Sequence, residues 1–160
     1  MIPPDALLRA LSAGKVEFVL VGGVAATIHG SSRLTQDLDI VYARTHENIS
    51  RLAESLRLHR PYLRGAPPGL PFRWDAATIE RGLNFTLTSD IGDIDLLGEI
   101  VGGGRFEDLL PDTIQVSLFG LECRCLSLPR LIEVKRAAGR PKDLEAIAEL
   151  EAILDERNKR

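Results

Sequence analysis

Val21-Gly-Gly-Val-Ala-Ala-Thr-Ile-His-Gly-Ser-Ser-Arg-Leu-Thr-Gln-Asp-Leu-Asp-Ile40 decides how this chain folds. Just upstream, Val16-Glu-Phe-Val-Leu-Val21 is a near-continuous apolar run, the pattern of a strand buried on both faces. It stops at Gly22-Gly23, where the missing Cβ atoms allow close backbone approach, and Val24 to Ile28 then begins a helix ended by His29-Gly30. Amides at a helix start are ready donors for phosphate oxygens. A double glycine after a strand is, by itself, more often a plain turn. Asp37 and Asp39 open a second strand, Asp37 to Ala43, and project to one face with Cα atoms about 7 Å apart. Leu38 and Ile40 point the other way, into the core. Like charges so placed repel, so this face calls for a cation, unless the two are simply solvated strand-end acids. Hard divalent ions fit: magnesium keeps several waters and takes one or two carboxylates together with substrate phosphates.

Working outward, Pro4 to Ala13 carries a short helical stripe that Gly14 ends, and His46 to Leu58 carries Ile49, Leu52, Ala53 and Leu56 at helical spacing. Arg60 to Phe72 holds Pro61, Pro67, Pro68 and Pro71 with Gly65 and Gly69, which reads as a surface loop. Phe85–Thr88 and Asp93–Leu97 form a hairpin with Gly92 in its turn, and Thr113–Phe119 with Leu121–Leu126 a second one across Gly120. Asp95 is then a third carboxylate from a neighbouring strand; Asp93 shares its face but lies less deep. Pro129 starts a helix through Ala138, and Pro141 starts a last one with Leu144, Ile147, Leu150 and Leu154 on its apolar side. The expected fold is mixed α/β, a small mixed sheet with helices packed on it, in one domain spanning 1–160: a core at 16–126 and a C-terminal helical segment at 129–160.

Composition bounds what this domain does. Length 160, 44% hydrophobic and 27% charged residues place it among ordinary globular domains and exclude a disordered chain. Twenty Lys and Arg against 23 Asp and Glu leave a formal charge of -3, so no overall basic field holds nucleic acid nonspecifically. Arg130, Lys135, Arg136, Arg140 and Lys142 remain as a local basic cluster. No charged-then-apolar leader and no apolar run near 18 residues imply a cytoplasmic chain with no membrane partner. Cys123 and Cys125 alternate along one strand face, which keeps them from pairing, and with only His29, His46 and His59 they make no zinc spacing.

The double glycine, the thirteen residues between Gly23 and Asp37, the Asp37-Leu-Asp39 pair and Asp95 in a later strand together resemble the DNA polymerase beta nucleotidyltransferase superfamily. More narrowly, Arg33-Leu-Thr-Gln-Asp-Leu-Asp39 and Lys135-Arg-Ala-Ala-Gly-Arg-Pro-Lys-Asp143 resemble its AbiEii-type branch, which includes the toxins of toxin–antitoxin pairs. The resemblance runs in order from about Val16 to Leu150 and skips the Pro-rich middle. It implies the nucleotidyltransferase fold, a nucleoside triphosphate at Gly22 and Gly23, and two magnesium ions on Asp37, Asp39 and Asp95, with Asp95 the base for the attacking hydroxyl. The reaction implied moves a nucleoside monophosphate onto a hydroxyl of an acceptor: a transfer RNA end, a protein or a small molecule. Arg33, Thr35 and Lys135 join the nucleotide-binding set. Two departures stand out. The second glycine, Gly23, replaces a serine common in the superfamily, and the chain ends soon after its last helix, so the acceptor site is expected to be small or shared with an antitoxin or a helical partner.

Each candidate also has a plainer role. Arg33 and Lys135 can be surface charges, Thr35 a turn cap, Lys142 and Asp143 a fastening between the last two helices, His29 a helix-end residue and Trp74 an anchor for the Pro-rich loop. The competing function is a module that keeps the fold, binds a nucleotide or a partner, and transfers nothing.

Overall fold

In chain order the computed structural model has α1 (Asp5–Ala13), β1 (Phe18–Val21), α2 (Gly22–Ile28), β2 (Asp37–Tyr42), α3 (His46–Leu56), β3 (Tyr62–Leu63), α4 (Ala76–Arg81), β4 (Phe85–Ser89) and β5 (Gly92–Leu97). These are followed by α5 (Phe106–Leu109), β6 (Thr113–Leu118), β7 (Leu121–Leu126), α6 (Leu128–Ala138) and α7 (Pro141–Asn158). The structure describes residues 3–33, 35 and 37–160. Leu34 and Gln36, inside the stretch that carries the AbiEii-type resemblance, lie outside them.

Seven strands make one mixed sheet in the order β3-β4-β5-β2-β1-β7-β6. The four residues of β1 are all buried, as its unbroken apolar run requires. It pairs antiparallel with β2 and parallel with β7. Because β2 pairs parallel with β5, Asp37 comes opposite Asp93 and Asp39 opposite Asp95. The last hairpin thus joins the same sheet as the first strand.

Helix α1 packs on α3, and α3 on α4; α2 packs on β2 and α6, and α6 on α7. Caps set several starts: Thr45 accepts from the Asn48 amide, Asp75 from Thr78 and Ser127 from Arg130. The fully buried Asn48 ties α3 to the first strand region, since its side-chain amide donates to Glu17 O (3.0 Å) and Ala43 O (2.8 Å) and its Oδ1 accepts from the Glu17 amide (2.7 Å).

Four local expectations change. The Pro-rich loop contains a short edge strand, β3, whose Tyr62 and Leu63 pair with Thr88 and Leu87; breakers exclude a long strand, not two residues between Pro61 and Gly65. Helix α2 begins at Gly22 itself rather than at Val24. The turn of the β4–β5 hairpin is Asp90-Ile91, with Gly92 already paired to Ser89. Short helices α4 and α5 fill stretches whose apolar residues are too few to announce them. Cys123 and Cys125 are both buried and free.

Candidate active site: four acids around an arginine

Alternation along β2 and β5 turns Asp37, Asp39, Asp93 and Asp95 to one side of the sheet, while Leu38, Ile40, Ile94 and Leu96 between them are buried at 1% exposure or less. The three acids singled out from sequence are therefore brought together, with Asp93 as a fourth. Side-chain exposure falls from 41% at Asp37 and 38% at Asp93 to 26% at Asp95, so Asp95 is the deeper of the β5 pair. Burial pushes the Asp39 carboxyl up to about 7, helped by the negative charges of Asp95 and Asp37; Lys135 pulls the other way.

Gly22 has φ +66, and a Cβ there would lie 2.8 Å from Asp39 Cγ and 2.9 Å from Asp39 Cβ. A side chain at residue 22 and an acid at residue 39 exclude each other. At Gly23 a Cβ would lie 2.5 Å from Thr35 Oγ1 and 2.8 Å from Thr35 Cβ. Thr35 occupies the space into which a side chain at residue 23 would project, so the hydroxyl at this spot comes from residue 35. Thr35 Oγ1 donates to Asp37 O at 3.1 Å, which fixes it beside the first acid.

Gly22, Gly23, Arg33, Thr35, Lys135 and Lys142 line a polar recess of about 350 Å³ that opens onto Asp37, Asp39 and Asp95. Arg33 is not free in it: Glu145 and Glu149 of α7 lie 3.7 and 3.8 Å from its guanidinium. Glu149 also accepts from the Ser31 and Ser32 hydroxyls, so this corner is a fastening of the loop after α2 to α7. Lys135 and Asp39 attract each other across the recess; burial lowers the Lys135 pKa, against the attraction of Asp143 and Asp39. Asp143 forms a capping box with Arg140, whose Nε donates to Asp143 Oδ2 at 2.6 Å. That pair caps the start of α7 and does not reach α6; it is the attraction between Asp143 and Lys135 that links the two helices. The basic cluster is largely neutralised: Arg130 pairs with Asp112 and Glu133, Arg136 with Glu151, and Arg140 with Asp143.

A second recess, about 370 Å³, shares Gly22, Asp39 and Lys135 but is walled by Leu97, Ile100, Leu131 and Val134. A larger hollow of about 580 Å³, near Lys15, Glu17 and Arg124, lacks the glycine turn and the acid cluster. His29 is buried with Nε2 2.8 Å from Leu126 O, and Trp74 donates from Nε1 to Ala53 O at 2.9 Å, so both are structural.

Sequence reasoning missed Arg64. It follows β3 directly, its amide donates to Thr86 O, and its guanidinium reaches into the acids: Nη1 is 3.4 Å from Asp37 Oδ2, Nε 3.4 Å from Asp93 Oδ2 and Nη2 3.0 Å from Asp95 Oδ1. One basic residue among prolines and glycines gives no signal. The cue that could have found it is Tyr62-Leu63, an apolar pair able to lay residue 64 beside the acidic hairpin.

The acids suit a hard divalent ion. All four supply carboxylate oxygens, and the buried Asp39 Oδ1 and Asp95 Oδ1 accept no hydrogen bond. No three His, Cys, Asp or Glu side chains of the described residues already converge as a ligand set.

No family model matches the chain, and no curated protein sequence matches it. Solved structures do. The lincosamide antibiotic adenylyltransferase LnuA, with lincomycin bound, superposes with a TM-score of 0.60 at 15% identity over 93% of this chain and 94% of its own. A Thermotoga maritima protein assigned as a nucleotidyltransferase gives 0.51 at 19% identity, covering 100% of this chain and 97% of that one. A nucleotidyltransferase-like antigenic protein of Paracoccidioides brasiliensis gives 0.56 at 13% identity, over 91% of this chain and 72% of that one. The chain has the mixed α/β fold of these nucleotidyltransferases. None of its described helices is long and apolar enough to cross a membrane.

Proposed function

We propose that the protein is a magnesium-dependent nucleotidyltransferase that moves a nucleoside monophosphate from a triphosphate to a hydroxyl of a small acceptor. The observation that carries the reading is the parallel register of β2 and β5, which sets Asp37, Asp39 and Asp95 on one face beside the glycine turn. Asp37 and Asp39 would hold the two metal ions, with Asp95 as the third ligand. The ions would supply charge neutralisation at the α-phosphorus and at the departing pyrophosphate.

The chain's own residues do the rest. Gly22 and Gly23 let backbone and triphosphate approach Asp39 closely. Lys135 and Lys142 supply positive charge in the polar recess. Thr35 presents a hydroxyl next to Asp37. Asp95 takes the acceptor hydroxyl's proton. The apolar recess on the other side of Asp39 suits the acceptor, and its volume of about 370 Å³ fits a small molecule. A transfer RNA fits less well, because three of the five clustered cations are already paired with acids. The AbiEii-type branch, with its toxin role and antitoxin partner, rests on the sequence resemblance alone.

Calorimetric titration of each nucleoside triphosphate, with magnesium and with EDTA, tests the reading on wild type and on the Asp37→Ala, Asp39→Ala double variant. Magnesium-dependent micromolar binding that disappears in the variant is expected. Absence of binding to every triphosphate favours instead a non-catalytic module that binds a partner. That alternative must explain why a domain with no metal to hold keeps an acid as destabilised as Asp39.

A further inference from the structure

The guanidinium of Arg64 lies near three carboxylates, yet its geometry toward them is loose. Separations of 3.0 to 3.4 Å exceed the roughly 2.7–2.9 Å of a charge-assisted hydrogen bond, and buried Nε has no hydrogen bond at all. Its one short bond runs to the backbone, Nη2 to Leu87 O at 2.7 Å. An arginine built to recognise a single carboxylate would use its fork bidentately. This one is anchored to β4 and fills the middle of an acid cluster as a charge. Arg64 lies within 3.4 Å of three of the four carboxylates, and Lys135 attracts the fourth, Asp39. Two of the oxygens nearest Arg64, on Asp37 and Asp95, belong to the acids that would ligate a metal.

We infer that Arg64 is a built-in cation of the acidic centre, competing with a divalent ion for Asp37 and Asp95 and withdrawing to Asp93 when that ion binds. The inference rests on the proposed metal role of the acids. Asp93 gives the side chain somewhere to go: it is opposite Asp37 in the register and more exposed than Asp95, and its partner atom on the arginine is Nε, the one nearest the stem. Arg64 is accordingly a positioning residue. It keeps the acids from repelling one another without metal, and it makes the ion bind more weakly than the bare acids would.

Manganese binding to the nucleotide-free protein, read from the free-ion paramagnetic resonance signal, tests this directly. Arg64→Gln should bind manganese at least about tenfold more tightly than wild type, because a positive charge 3.0–3.4 Å from the carboxylates that would hold the ion is gone. Arg64→Lys, which keeps the charge, should stay near wild type. Arg64→Gln binding no tighter than wild type overturns the inference. Should Arg64→Gln fail to fold, wild type alone decides: the arginine Nε–H nuclear magnetic resonance peak that vanishes in Arg64→Lys should shift saturably with added magnesium, and a peak that stays put refutes the competition. The two failures are distinguishable. If wild type binds manganese through Asp37 and Asp39 but Arg64→Gln binds no tighter, only the role of Arg64 falls; if wild type binds none, the metal reading falls with it.

Discussion

Replacing Gly22 with alanine tests whether the glycine turn and Asp39 are packed as one unit. Two costs add. Residue 22 sits at φ +66, and a non-glycine residue in the left-handed region costs roughly 1–2 kcal/mol. The new methyl would lie 2.8 Å from Asp39 Cγ and 2.9 Å from Asp39 Cβ. A rotamer change moves Cγ but not Cβ, so the strand or the turn must shift, an overpacking term of about 1–3 kcal/mol. The sum is about 2–5 kcal/mol. At roughly 2–4 °C per kcal/mol for a domain of this size, Tm should fall by about 4–20 °C in EDTA. Thermal and urea unfolding of wild type, Gly22→Ala, Asp39→Gly and the double variant separates the two costs. Removing the Asp39 side chain leaves only the backbone term, so the cycle should give a coupling of about 1–3 kcal/mol. Gly22→Ala within about 0.5 kcal/mol of wild type, the usual range of a harmless surface change, would refute the reasoning.

Other expectations follow from the same geometry. The folded-state pKa of Asp39 is raised to about 7, so its contribution to stability is intact below the unfolded-state value near 4 and is lost as pH rises through 7. The Asp39 contribution in metal-free protein should therefore fall by on the order of a few kcal/mol between pH 4 and 7, and Asp39→Asn should remove that component of the pH dependence in urea titrations at fixed pH. Asn48→Ala orphans the Glu17 amide and Ala43 O and should cost about 2–3 kcal/mol in chemical denaturation while leaving triphosphate binding unchanged. The Cys125 thiol is pushed up to about 12 by burial, so Cys123 and Cys125 should resist a disulfide reagent at pH 8 in the native protein and react promptly in urea.

How much of this was legible in the sequence depends on the range over which each feature is determined. The run Val16 to Val21 and the alternation of Asp37 to Ile40 are local, and they gave the buried central strand and the shared direction of the two acids correctly. Asp95 was legible because a hairpin is also local and its alternation fixes which residues share a side. What no local pattern states is that β5 lies parallel to β2 with Asp39 opposite Asp95, a register set by packing of the whole sheet. Arg33 shows the limit from the other side: its position in the quoted stretch predicts the recess correctly, but Glu145 and Glu149, more than a hundred residues on, occupy its charge. Arg64 is the extreme case, because nothing near it in sequence is acidic and all three of its carboxylate partners arrive through pairings of β3, β4, β5 and β2. The same reasoning applies to Gly23. A side chain at residue 23 and a threonine at residue 35 compete for one volume, and the hydroxyl beside Asp37 comes from the segment that leads into β2 rather than from the start of α2, which only the folded geometry shows.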